Sequence, residues 1–141
     1  MKFLTYIQEA KSNHDKSTST VINKVGEALK GVLPYVWFDN SPFRLGLGVL
    51  AGNKLNPYGT NPITTPGMPG VTGIAVYIDE NEKIATVYEI TSASHGLGTK
   101  MVEAMLNALP KDYKIAIHHD WSGGWWDKIM KKYSNREWIV D

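Results

Sequence analysis

At 141 residues, with 43% hydrophobic and 21% charged residues, the chain has the composition of one globular domain large enough to bury a core. A net charge of +1 offers a polyelectrolyte nothing to bind, so no nucleic-acid partner is expected, and no stretch is long and apolar enough to span a bilayer. Cysteine is absent, which removes disulfides, thiolate metal ligands and cysteine nucleophiles together.

Phe3, Leu4, Ile7 and Ala10 recur at helical spacing and predict a short helix over residues 2–10. The apolar run there stops at Gln8, too short for a signal-peptide core, so a cytoplasmic protein is expected. A small polar loop over residues 12–20 leads to Val21, Ile22, Val25, Ala28, Leu29, Val32 and Leu33, one apolar stripe of a second helix ended by Pro34. The aromatic run 35–38 predicts a short strand, and 44–50 another, weakened by Gly46 and Gly48. Residues 52–70 hold Pro57, Pro62, Pro66 and Pro69 among Asn and Gly, a long loop either facing a substrate or making a simple excursion.

Residues 71–79 and 83–91 flank Glu80-Asn81-Glu82, a hairpin pattern. From Thr99 the period changes, and Met101, Val102, Met105, Leu106 and Leu109 make a helical stripe stopped by Pro110. In 113–119, Tyr113, Ile115 and Ile117 alternate with Lys114, Ala116 and His118, so His118 and His119 are expected on opposite faces of a strand. Ser122-Gly123-Gly124 opens a helix over 125–133 with Trp126, Ile129, Met130 and Tyr133 on one side and Lys128, Lys131 and Lys132 on the other. Residues 137–140 close the chain as a strand. With no internal repeat or boundary, the order predicts a single α+β domain over residues 1–141.

Chemistry concentrates between the hairpin and the third helix, at His95-Gly96-Leu97-Gly98-Thr99-Lys100. Glycines let a backbone turn and approach a ligand, and a helix N-terminus presents unpaired N–H groups with partial positive charge, a combination suited to phosphate. Lys100 adds a charge, and His95 can contact phosphate when protonated. The plainer reading is a sharp strand-to-helix connection. A dinucleotide fold needs a third glycine where Met101 stands, and a P-loop needs GK[ST].

The hairpin, the G-x-G turn opening a helix, the further strand, the aromatic helix and the final strand together resemble the GNAT superfamily of acyl-CoA-dependent N-acetyltransferases, over about residues 71–141. The resemblance implies a central, mostly antiparallel mixed sheet with splayed strands flanked by helices. It implies acetyl-CoA as co-substrate, no metal, and an amine acceptor that is a small molecule or a protein. The family's turn reads [Q/R]-x-x-G-x-[G/A] and corresponds here to Ala93-Ser94-His95-Gly96-Leu97-Gly98, with Ala93 at the Gln/Arg position. By this resemblance Ile90, Thr91 and Ser92 meet the pantetheine arm and the thioester. His95, Gly96, Leu97, Gly98, Thr99 and Lys100 hold the pyrophosphate. Trp126 stands where the family's acid tyrosine falls, so Tyr133, another tyrosine or water is left to protonate the thiolate. Glu89, the one carboxylate in 83–94, is the expected general base, with His119 or His118 as a second candidate. Trp121, Trp125 and Trp126 form either core or the wall of an acyl channel. A catalytically silent binding protein of the same shape is the alternative.

Overall fold

The computed structural model describes residues 14–41 and 44–140. The helix expected over residues 2–10 lies outside the described residues. Helix α1, Thr20–Lys30, begins where Ser19 Oγ accepts the Ile22 N–H at 3.1 Å, and it buries Ile22, Val25 and Leu29. It ends short of the sequence expectation. Val32 and Leu33 turn back to the Leu29 carbonyl instead of extending the helix, because a residue before proline is disfavoured in the α region and Pro34 follows.

Strands β1 (Tyr35–Asp39), β2 (Leu47–Gly52), β3 (Gly73–Asp79), β4 (Ile84–Thr91), β5 (Lys114–Ile117) and β6 (Trp138–Val140) form one six-stranded sheet in that order. The first four run antiparallel, while β4, β5 and β6 are mutually parallel. The parallel pairs are joined by helix α2 (Leu97–Ala108) and helix α3 (Trp125–Lys132), as parallel neighbours require. The fold is therefore α+β with a mixed, mostly antiparallel sheet. Strand β2 starts later than the sequence suggests, because Gly46 sits at φ 112° and a Cβ there would lie 2.0 Å from the Ile78 carbonyl oxygen.

Register assigns the two faces of the sheet. Phe38, Val49, Val76, Val87 and Ile117 are successive cross-strand partners and are all buried, so they define the core face. Met101, Val102, Met105 and Leu106 of α2 join the same apolar cluster. The opposite face carries Trp37, Leu50, Ala75 and Glu89 in one row and Asp39, Gly48, Tyr77, Thr86 and Ala116 in the next. Among the described residues, no helix is long and apolar enough to cross a membrane.

Arg136 ties the C-terminal segment to α2. Its Nη1 donates to the Pro110 carbonyl at 2.7 Å, and its Nη2 to those of Leu106 and Leu109 at 2.6 and 2.9 Å. These acceptors sit at and beyond the end of α2, where a helix leaves its carbonyls unpaired and a cation is favoured. Replacing Arg136 with alanine is expected to lower unfolding free energy by about 2 kcal/mol, since charged hydrogen bonds are lost, two of them to carbonyls of the buried Leu106 and Leu109. Urea titration followed by circular dichroism measures it; a loss under about 0.5 kcal/mol would show that the clamp is dispensable.

Candidate functional site

Strand β4 has two neighbours and keeps only one of them to its end. It pairs with β5 from Ile84 to Val87, and the last bond runs from the His118 N–H to the Val87 carbonyl at 3.1 Å. It stays paired with β3 as far as Thr91 opposite Gly73. Beyond β5 the chain leaves the strand direction at His119, whose φ is 58°. A cleft of about 850 Å³ opens in the gap, lined from Val87 to Gly96 on one side and by Ile117, His118 and the tryptophans on the other.

A bulge sets what β4 shows to this cleft. Val76 pairs with Val87 and Ala75 with Glu89, so Tyr88 is the extra residue. Unbroken alternation from Val87 would send Glu89 to the core face. With the bulge, Glu89 shares the face of Ala75, beside Tyr88. There Glu89 Oε1 accepts a hydrogen bond from Thr64 Oγ1 at 3.0 Å, an anchor supplied by the long loop before β3. Antiparallel ladders point every second residue's backbone groups away from the partner. Val87 has its carbonyl towards β5, and across the bulge the matching position is Ile90, whose N–H and C=O therefore face the gap.

The Tyr88 ring lies against His118 with centroids 4.8 Å apart and planes 12° apart, and it meets Tyr77 edge-on at 5.7 Å. The Tyr77 hydroxyl donates to Asp39 Oδ2 at 3.2 Å. Its pKa is pushed up to about 12, first by burial and then by the charge and hydrogen bond of Asp39, with Tyr88 and Glu89 adding to it.

The far end of the cleft is the start of α2. Gly96 is the N-cap at φ 88°, and no side chain caps the helix. The Leu97 N–H returns to the Ser94 carbonyl at 3.4 Å and the Lys100 N–H to that of Gly96 at 3.2 Å. The amides of Gly98 and Thr99 have no partner among the described residues, and both residues line the cleft. Gly98 is glycine for packing, because a Cβ there would lie 3.1 Å from Cζ2 of Trp125. The loop before the helix is pinned by the Ala93 N–H donating to Thr72 Oγ1 at 2.9 Å and by Ser92 Oγ donating to the Ser94 carbonyl at 2.6 Å. Across the cleft, Ser122 Oγ accepts the Trp126 N–H at 3.1 Å and fixes the first turn of α3, with Trp126 buried.

Of the residues singled out from the sequence, Glu89, Ile90, Thr91, Ser92, His95, Gly96, Gly98, Thr99, His119 and Trp126 all line this one cleft. Leu97, Lys100 and Tyr133 do not. The Leu97 amide is used within the turn and Lys100 is exposed. Tyr133 follows the last turn of α3, and its pKa is raised, first by burial and then by the Glu103 carboxylate of α2. Tyr133 therefore lies apart from the residues lining the cleft. His118 and His119 are not on opposite faces either: their ring centroids are 4.1 Å apart, because the left-handed backbone at His119 breaks the pleat. Sequence reasoning missed Tyr88 and Thr64. Tyr88 becomes a cleft residue through a register shift, which no periodicity reports.

Scans of the chain against protein-family models, curated proteins and solved structures each return no match.

The Tyr77 hydroxyl supplies a check on this face. Spectrophotometric titration of the folded protein should show one tyrosine ionising near 12, and Asp39→Asn should move it down without returning it to 10, since burial is the larger cause. The raised value favours the protonated form on folding, so its contribution to stability is full below pH 10 and lost as pH climbs towards 12. A Tyr77 that titrates with the exposed tyrosines would contradict the Asp39 contact.

Proposed function

We propose that the chain is a GNAT-like N-acetyltransferase that takes acetyl-CoA into the gap between β4 and β5 and transfers the acetyl group to a primary amine of a small molecule or protein. The observation that carries this reading is the gap itself, which runs from two unpartnered amides at the start of α2 to a carboxylate set by a bulge in β4. Acyl-CoA fits these residues in three respects. Backbone N–H groups at Gly98 and Thr99 suit a diphosphate at a helix N-terminus. Trp125, Trp126 and Ile117 give the cleft an apolar wall for an uncharged arm. The Ile90 backbone, facing the gap, offers an N–H for developing charge on a thioester oxygen. Among the described residues no lysine or arginine lines the cleft, so the phosphates rest on backbone amides and His95.

Transfer joins the amine nitrogen to the carbonyl carbon and breaks the carbon–sulfur bond. Glu89 takes a proton from the amine, directly or through water, and is held for that by Thr64. The departing sulfur needs a proton. Trp126 has none to give, and Tyr133 lies outside the cleft. Tyr88, the one tyrosine lining it among the described residues, is the donor in this scheme. A second reading, a binding protein that has kept the cleft without turnover, is favoured by the buried tryptophan at position 126.

Calorimetric titration with acetyl-CoA, followed by a thiol-release assay over a panel of amines, separates these readings. Micromolar binding with turnover is the expected result, and no binding at millimolar ligand would remove the acyl-CoA assignment. Binding without turnover on any amine would favour the second reading. Thr99→Pro deletes one amide from a first turn that tolerates proline, and it should weaken acetyl-CoA by about tenfold with the helix intact. Tyr88→Phe should lower kcat by about 10²-fold at unchanged acetyl-CoA affinity. An unaltered rate would return the acid role to water.

A further inference from the structure

The charges that line the cleft are unbalanced in a way that bears on the acceptor. Glu89 is half-buried, its one hydrogen bond is the neutral Thr64 hydroxyl, and no ion pair reaches it among the described residues. Removing a carboxylate from water without a counter-charge is costly, and the cost falls when a cation arrives. Around it, the other titratable groups on the cleft wall among the described residues are Tyr88, His95, His118 and His119. A second carboxylate, Asp39, lies in the adjacent cross-strand row of the same sheet face, bonded to Tyr77, so this face carries two acidic groups.

Shape points the same way. The parallel Tyr88–His118 pair forms an aromatic wall beside Glu89, and Trp121 continues it outward, 87% exposed, with its ring 6.0 Å from His119. Pro66, from the loop that also supplies Thr64, lines the cleft as well. A carboxylate beside aromatic faces is the arrangement that holds an ammonium group by charge and by the ring quadrupoles, and a flat exposed indole takes an apolar stem. A carboxylate or phosphate next to the ammonium would instead meet Glu89, and among the described residues no lysine or arginine lines the cleft to offset it.

We infer that the acceptor is a cationic amine on an apolar stem with no anionic group beside its nitrogen, its ammonium held by Glu89 against the Tyr88–His118 wall and its stem on Trp121. Arylalkylamines, alkyl diamines and a lysine side chain belong to this class; free α-amino acids do not. The inference rests on the acetyltransferase reading for calling this ligand an acceptor, but the cation site is testable without acyl-CoA.

The test compares phenethylamine with phenylalanine, which differ by one carboxylate, together with N-acetyl-lysine N′-methylamide. Binding to the whole protein is followed without acyl-CoA by tryptophan fluorescence and indole N–H shifts, in wild type, Glu89→Gln and Trp121→Ala. Phenethylamine or the lysine derivative should bind about tenfold tighter than phenylalanine. Glu89→Gln, which keeps a polar group for Thr64, should weaken the amines about tenfold and leave acetyl-CoA affinity unchanged. Equal or tighter binding of phenylalanine, amine affinity unmoved by Glu89→Gln, or no amine binding at tens of millimolar would each overturn the inference. Acetyl-CoA binding with that failure leaves the acyltransferase reading standing. Amine binding without acetyl-CoA binding sinks that reading and upholds the cation site.

Discussion

The hydrogen-bond ladder of β4 is the constraint on which the rest depends. One edge of this strand is satisfied by β3 along its whole length, while the other is satisfied by β5 only as far as Val87. A sheet that stops pairing in its interior leaves backbone donors and acceptors that must meet something else, because buried unpaired groups are costly. In this chain they face a cleft, and the amides of Gly98 and Thr99, which have no partner among the described residues, belong to residues lining it too. The register shift at Tyr88 falls where the parting begins, and bulges as a class bend a strand and increase its local twist. The parting thus needs two departures from regular strand geometry, the shift at Tyr88 and the left-handed backbone at His119.

The two ends of the cleft differ in sign. At the start of α2 the dipole and free amides make the site positive without a charged side chain. At the bulge, Glu89 is the carboxylate lining the cleft among the described residues, and Asp39 lies farther along the same sheet face. Under the proposed acetyl transfer, an anionic donor and a cationic acceptor would be ordered end to end by such a field.

Much of this was legible in the sequence wherever periodicity reports burial. The stripe Met101, Val102, Met105, Leu106 and the alternation Tyr113, Ile115, Ile117 both name residues that are buried. The turn at Gly96 was visible through glycine, and the Glu80–Glu82 hairpin through its flanks. What failed were properties of pairing between strands. Glu89 stands out as a lone carboxylate, but its face depends on a register shift against Ala75 and Val76 that lies in the partner strand's spacing. The two histidines were misplaced because alternation was carried past the point where His119 adopts a left-handed backbone. Tyr133 satisfied the helical stripe but falls two turns past Trp126, outside the cleft lining.

The bulge also has a meaning in chain length. Val87 opposite Val76 and Glu89 opposite Ala75 are the consecutive pairs that an unbulged strand would make with Tyr88 absent. Tyr88 thus behaves as a one-residue insertion that the pleat does not need. Without it, Glu89 would keep its face opposite Ala75 and the β3–β4 ladder would run with no shift. How β4 takes up one residue more than the facing stretch of β3 thus decides which side of the sheet carries the cleft's carboxylate.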